Sequence, residues 1–164
     1  MVVAKTWPAY EHLKNQFKEH KIKKEYLALV CGRIDKTEGY VDFSIFRNKR
    51  GKIVAGPKQG TGKNALTYFQ LIKHIKNYSL LKLKTLTGRT HQIRVHLKAL
   101  GYPIVGDKLY QSKKIKEKIP LNRIFLHANT LGFFDLNNKW LEFESLLPEE
   151  LDRILNQLEK THDS

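Results

Sequence analysis

TGRTHQIRVHL, residues 87–97, joins a strand-like segment to a helix-like one. Gly88 permits a tight turn, because glycine adopts positive φ at no steric cost. Thr90 is a candidate N-cap, and the apolar residues that follow recur at the spacing of one helical face, with a glycine at the expected stop. Those residues are Ile93, Leu97, Leu100 and Gly101. The stretch predicts a strand–turn–helix corner around which the neighbouring segments are arranged.

The polar residues of this corner are mostly basic. His91, Arg94 and Lys98 are spaced i, i+3 and i+7, so on a continuous helix they share the face opposite the apolar one. A helix N-terminus near Arg89, His91 and Arg94 favours the binding of an anion. An ordinary solvated basic face explains the same pattern, and charge spacing alone does not distinguish the two.

Length and composition indicate a globular protein. With 164 residues, 41% of them hydrophobic, the chain is expected to form a single domain spanning residues 1–164. Cys31 is the only cysteine, which rules out an internal disulfide and fits a reducing compartment. No apolar run reaches membrane-spanning length. We expect a soluble, cytoplasmic monomer.

Charge is distributed unevenly along the chain. The formal net charge is +14, and residues 43–106 contain 13 Lys and Arg but no carboxylate. A long one-sign segment inside a folded domain predicts a continuous positive surface, for which nucleic-acid phosphates are the commonest partner. Acidic lipid and simple solubility are the alternatives. Proton transfer by this segment would have to use tyrosine or histidine.

The order of the predicted elements favours an α+β fold, a mixed and largely antiparallel sheet flanked by helices. Residues 47–63 are basic and glycine-rich and are predicted to form a loop, and residues 113–118 a charged surface loop. The other predictions are strands at 1–5, 26–31, 39–45, 65–73, 78–86, 124–128, 131–136 and 140–143, and helices at 7–20, 90–100 and 148–160, the first capped by Thr6.

Two common kinds of site are excluded by spacing. Gly62-Lys63 resembles the end of a phosphate-binding loop, but Pro57 stands where the first glycine belongs and Asn64 replaces Ser or Thr. His91 and His96 are five residues apart rather than the four of a helical zinc pair. We expect neither a metal nor a small-molecule cofactor.

Tyr26 opens a strand-like run after Lys23, Lys24 and Glu25. From the periodicity of this run alone, Tyr26 is an ordinary aromatic residue at the edge of the core. The functional alternative is a tyrosine that faces a basic groove, where it could stack on a base and exchange a proton.

Four motifs together resemble the RNA pseudouridine synthases of the RluA type. They occur in the order seen in that family, and the resemblance covers residues 1 to about 148. The motifs are KEYLALV at 24–30, TGRTHQIRVH at 87–96, PIVGDKLY at 103–110 and LHA at 126–128.

The resemblance implies an enzyme that isomerises uridine to pseudouridine in structured ribosomal or transfer RNA, with the target nucleotide flipped from its stack. It implies that Tyr26 stacks on the uracil and removes the C5 proton. It implies that Arg94 pairs with a nucleophilic aspartate, and that Leu126 contributes an apolar wall of the uracil pocket. The candidate RNA-binding residues are Arg89, His91, Gln92, Arg50 and Lys98.

One departure from the family pattern is large. The family's aspartate lies in an H-R-L-D-x-x-T-S-G motif upstream of a strand that residues 2–5 resemble, and the motif does not occur in these 164 residues. None of the chain's own aspartates stands in a comparable motif, so Arg94 is left without a predicted counter-ion. We expect an N-terminally incomplete catalytic core that is inactive alone. The alternative is a non-catalytic RNA-binding remnant.

Overall fold

The computed structural model describes residues 1–57, 62–111 and 119–160. These residues form helices α1 (Trp7–Lys18), α2 (Gln92–Ala99) and α3 (Glu149–Lys160). Their strands are β1 (Lys23–Cys31), β2 (Glu38–Arg47), β3 (Ile53–Gly56), β4 (Lys63–Ile75), β5 (Tyr78–Thr85), β6 (Leu126–Phe134) and β7 (Trp140–Glu144).

All the strands of the described chain join one sheet, in the order β3-β2-β4-β5-β1-β6-β7. Every pairing between them is antiparallel. This arrangement of one sheet and flanking helices confirms the predicted α+β class. The loop predicted at 113–118 lies outside the described residues.

Strand β1 lies in the interior of the sheet, between β5 and β6. Its apolar residues Ala28, Leu29 and Val30 are fully buried, as is usual for a strand with neighbours on both sides and cover on both faces. Tyr26 pairs with Leu83 of β5 and with Ala128 of β6. The tyrosine that opens the strand is therefore held by backbone pairing on both sides.

Helix α2 packs on this sheet more completely than its apolar stripe predicts. Ile93 and Leu97 are buried in the main core, as expected. Val95 is also buried, in a second apolar cluster with Ile45 and Tyr110. The helix is therefore covered on two sides, by the sheet and by the segment that follows it.

Helix α1 has the N-cap, and helix α3 the apolar face, that the sequence predicts. The side chain of Thr6 accepts a hydrogen bond from the backbone N–H of Ala9 and caps α1, as predicted. Gln16 both donates to and accepts from the backbone of Phe134, which fastens α1 to β6. In α3, Leu151 and Ile154 are buried in the core, so the predicted apolar face is confirmed. None of the described helices is long and apolar enough to cross a bilayer.

Two predicted elements are wrong, and the strands predicted at 124–128 and 131–136 are one strand, β6. Residues 1–5 form no strand, because none of the described strands pairs with them, and Val3 stays 71% exposed. β-Branched residues favour a strand only where a neighbour supplies its hydrogen bonds. The predicted loop at 47–63 is in part a hairpin, since β2 runs to Arg47, β3 follows, and β4 begins at Lys63.

His96 is a fully buried titratable group on α2. Its Nδ1 atom lies 3.0 Å from the Thr67 hydroxyl. Burial lowers the pKa of His96 from its ordinary value of 6.5 to about 4. The native state thus binds fewer protons than the unfolded state between these values, so stability falls as the pH decreases.

We expect the free energy of unfolding to drop by about 3 kcal/mol between pH 7 and pH 4 because of His96, at about 1.4 kcal/mol per pKa unit. Urea titrations at several pH values measure this. The H96N variant should be less stable at pH 7 but should show a flatter pH dependence. H20N, at an exposed histidine, is the matched control. An equal pH dependence in H96N and the wild type would contradict this assignment.

Candidate active site

The turn before α2 is built around the side chain of Gln92. Its Oε1 atom accepts hydrogen bonds from the Thr87 hydroxyl (2.7 Å) and the Arg89 backbone N–H (3.0 Å). Its Nε2 atom donates to the Leu66 carbonyl and the Thr67 hydroxyl, both at 3.0 Å. The amide is buried and its hydrogen bonds all lie within the protein, so it fixes the turn to β4. In this conformation the Gln92 side chain holds the turn.

His91, not Thr90, is the N-cap of α2. Its backbone is left-handed, with φ 56°, and no side chain caps this helix end. His91 therefore precedes the helix. The prediction that His91 shares a helical face with Arg94 and Lys98 is wrong. A hydrogen bond of 2.9 Å joins its Nδ1 atom to the Tyr110 hydroxyl. Burial, with repulsion from Arg94, lowers the pKa of His91 and disfavours its charged form.

Arg94 does have a counter-ion in this chain, contrary to the sequence analysis. Its Nε atom donates to Asp107 Oδ2 (2.8 Å), and its Nη2 atom donates to Asp107 Oδ1 (2.7 Å). The guanidinium also lies over the Tyr110 ring, 4.8 Å from its centre. Asp107 reaches Arg94 through the fold of the segment after α2, so the motif that contains Asp107 does not reveal the contact.

Asp107 is fully buried and satisfied. It also accepts hydrogen bonds from the backbone N–H groups of Leu109 and Tyr110, both at 3.1 Å. Burial alone would raise the pKa of Asp107, but the hydrogen bonds from Arg94 and from these N–H groups outweigh it, and the pKa lies below its ordinary value. A carboxylate with four hydrogen bonds and no exposed surface is an anchor for Arg94 rather than a free nucleophile.

A cavity of about 200 Å³ brings most of the predicted site residues together. Tyr26 and Leu126 come from neighbouring strands, and the turn and first helical residues form the opposite wall. No carboxylate of the described chain lines it. The lining residues are Lys24, Tyr26, Thr85, Thr87, Gly88, Arg89, His91, Gln92, Ile93, Arg94 and Leu126.

Tyr26 is half-buried in this cavity. Burial raises the pKa of its phenol, and a hydrogen bond with Thr85 acts in the opposite direction without cancelling the effect. The phenol is therefore protonated at neutral pH. In this state it offers an aromatic face and a hydroxyl group.

Two larger depressions adjoin the cavity. One, of about 490 Å³, shares Gly88 and Arg89 with it and adds Arg47, Lys63 and the exposed ring of Phe46. The other, of about 710 Å³, shares Lys24 and Tyr26 and is mainly apolar. The cavity thus lies between a basic depression and an apolar groove.

The remaining predicted residues lie away from the cavity. Arg50 is exposed in the turn between β2 and β3, where Asn48 Oδ1 accepts from its backbone N–H. Lys98 is exposed near the end of α2. Neither lines the cavity or its basic neighbour. Across the described ranges, no three His, Cys, Asp or Glu side chains lie close enough to hold a metal ion.

Sequence reasoning missed Asp107 and Tyr110 as parts of the site. One signal could have found the aspartate, since it is the first carboxylate after the basic segment 43–106 and lies in the GDKLY part of a recognised motif. No sequence pattern indicates the contact of Tyr110 with His91 and Arg94, because it depends on how residues 103–111 pack against α2.

The chain is similar to proteins described as RNA pseudouridine synthases. A family model described as RNA pseudouridylate synthase matches residues 1–99, and the chain belongs to that family. It is 36% identical to an uncharacterised RNA pseudouridine synthase, YlyB, of Bacillus subtilis, over 98% of this chain and 52% of the relative. It is 40% identical to the dual-specificity RNA pseudouridine synthase RluA of Escherichia coli, over 80% of this chain and 59% of the relative.

One solved structure is similar to this chain over nearly its whole length. Human RNA pseudouridylate synthase domain containing 1 superposes with a TM-score of 0.80 at 31% identity, covering 99% of this chain and 74% of that one. The chain spans about half the length of the curated relatives that it matches.

Replacing Asp107 by Asn should lower the free energy of unfolding by about 3 kcal/mol, because it leaves the Arg94 guanidinium partly buried without its counter-ion. The double variant R94M/D107N should lose less than the sum of the two single variants, since both charges are removed together. Urea denaturation measures all four proteins. Additive losses would show that the two side chains do not depend on each other.

Proposed function

We propose that the protein is a pseudouridine synthase that isomerises uridine in structured ribosomal or transfer RNA. The observation that carries this proposal is the cavity in which Tyr26, Arg94 and Leu126 meet, next to the Arg89 and His91 turn. These are the positions to which the family motifs assign uracil stacking, carboxylate pairing and the apolar wall. Family membership and the basic segment 43–106 support the same substrate class.

The reaction requires the uridine to leave its stack and enter the cavity. The Tyr26 ring would lie against the uracil and Leu126 would close the apolar side. Arg94 would hold the nucleophilic aspartate ionised and oriented, as an opposite charge at short distance does. The aspartate would attack the nucleoside and the bond between uracil N1 and the ribose would break. The uracil would then rotate and bond to the ribose through C5, with release of the aspartate and loss of the C5 proton.

Arg94 is suited to this role because Asp107 occupies only one edge of its guanidinium. Asp107 takes the Nε and Nη2 donors, whereas Nη1 donates to none of the described groups. A second carboxylate could therefore bind Nη1 while the first pair stays intact. Asp107 would act as a positioning residue that aims the free edge at the cavity.

We propose that the nucleophile comes from outside these 164 residues. Among the described residues no carboxylate lines the cavity, and Asp107 is fully engaged. The same observation supports a second candidate function, RNA binding without catalysis. Turnover distinguishes the two, since both require binding.

Tyr26 would have two consecutive roles. Its phenol is neutral in this state, because burial raises its pKa. Stacking on the uracil requires only the ring. Removal of the C5 proton requires the phenolate form, so the phenolic proton must first pass to another base.

The activity is tested by release of tritium from C5-labelled uridine in RNA. The protein together with its nucleophile-bearing segment should release tritium, and the 164-residue chain alone should bind RNA weakly without turnover. A high rate with the 164-residue chain alone would contradict an external nucleophile. RNA binding without release in the longer protein would favour the non-catalytic alternative.

In the active protein, R94K should reduce turnover at least a hundredfold, the effect expected when one preorganised electrostatic contact of a transition state is lost. Lysine retains a positive charge for Asp107 but lacks the forked donors that hold two carboxylates at once. RNA affinity should change little. R153K, at an exposed arginine of α3, is the matched control. A wild-type rate in R94K would exclude Arg94 from the reaction.

The β2–β3 hairpin supplies a separate test of RNA contact. If Lys49 and Arg50 each contact a phosphate, the double variant K49A/R50A should lower the slope of log affinity against log salt by about 1.4, at about 0.7 per contact for single-stranded RNA. K36A, an exposed lysine before β2, should leave the slope unchanged. An unchanged affinity and slope in K49A/R50A would exclude the hairpin as an RNA contact.

A further inference from the structure

Lys23 and Lys24 are adjacent in β1 but have opposite surroundings. Lys23 Nζ lies 2.6 Å from Glu142 Oε1 and 3.9 Å from Glu25 Oε2. Lys24 lies on the other face, where it lines both the 200 Å³ cavity and the apolar groove beside it. Adjacent strand residues alternate between faces, so one lysine is bound by carboxylates and the other is directed to the candidate site.

The ammonium group of Lys24 is not neutralised. Within the described ranges no carboxylate lies within ion-pair distance of it, and its recorded contact is with the Phe17 ring, 5.7 Å from the ring centre. Glu144 also lines the groove, but its charge acts on Lys23, on the opposite face. Lys24 is thus a half-buried cation that pairs with none of the described carboxylates.

Its surroundings increase its attraction for an anion. The groove walls include Phe17, Leu131 and Phe143, and a low local dielectric strengthens a charge interaction. Burial lowers the pKa of Lys24, while the hydrogen bond with Glu142 raises that of Lys23. An unpaired cation in such a site is costly, and the binding of an anion relieves that cost.

We propose that the Lys24 ammonium group binds a backbone phosphate of the RNA, next to the uridine that enters the cavity. The inference rests on the proposed function, because it assumes that the uracil lies against Tyr26. Lys24 is two residues away on the same face, about 7 Å along the strand. A phosphate is separated from its base by one sugar, so the two side chains are spaced to hold the base and the phosphate of one nucleotide.

The other arginine and lysine side chains that line the cavity lie on the wall opposite Lys24. Arg89 provides a cation on the far wall of the cavity, where Arg94 is paired with Asp107, whereas Lys24 is the one cation that β1 and β6 provide among the lining residues. A nucleotide in the cavity would therefore have cations on both sides. Lys24 would supply the contact on the strand side.

The test uses an RNA hairpin with one unpaired uridine, and a second hairpin whose linkage beside that uridine is an uncharged methylphosphonate. K24M keeps the aliphatic packing on Phe17 but removes the charge. It should weaken binding of the first hairpin about tenfold, the effect of one charged hydrogen bond. Its salt slope should fall by about 0.7, the value for one phosphate contact.

The methylphosphonate hairpin identifies the contact. It should bind the wild type about as weakly as the first hairpin binds K24M, and K24M should add no further loss. K24R should restore affinity for the normal hairpin, and K23M should leave it unchanged. Thermal melts of each variant confirm that the fold is intact.

Three results would contradict the inference. Equal affinities of K24M and the wild type would overturn it while leaving the proposed function standing. Additive losses from K24M and the methylphosphonate would show that Lys24 does not bind that phosphate. A wild-type protein that binds neither hairpin would overturn the proposed function and this inference with it.

Discussion

The buried ion pair between Arg94 and Asp107 is the constraint on which the candidate site depends. Breaking such a pair on one side costs about 3–5 kcal/mol, because a charge is left without a partner away from water. The pair joins α2 to the segment after it, the Tyr110 ring lies against the same guanidinium, and the Tyr110 hydroxyl is hydrogen-bonded to His91. One interaction therefore sets the position of α2 against the segment that follows it and the orientation of the Arg94 guanidinium.

The sheet forms one wall of the cavity, and the turn before α2 forms the opposite wall. Strands β1 and β6 fix Tyr26 and Leu126 by backbone pairing, which leaves those side chains little freedom of placement. The opposite wall is irregular, and the buried Gln92 amide replaces backbone pairing there with four side-chain hydrogen bonds. Loss of that amide would leave several buried polar groups unsatisfied at once.

The sequence predicted the parts of this fold that depend on local pattern. The α+β class, the cap at Thr6 and the apolar face of α3 all follow from periodicity and capping chemistry. The wrong predictions concern positions whose structure depends on contacts with a distant segment of the chain. Residues 1–5 have strand propensity but no neighbour, and His91 takes the N-cap position that Thr90 was expected to hold. The partner of Arg94 lies 13 residues away on an irregular segment, which no periodicity reveals.

The pairing of β1 with β6 also has a consequence for how the chain folds. Tyr26 and Ala128 are neighbours in the sheet although about a hundred residues separate them along the chain. Contacts of such long range must overcome the entropy of closing a large loop, so they tend to form late. During synthesis the strand that carries Tyr26 can pair with β5 well before β6 has left the ribosome. The cavity would then acquire its last wall only when most of the chain has been made.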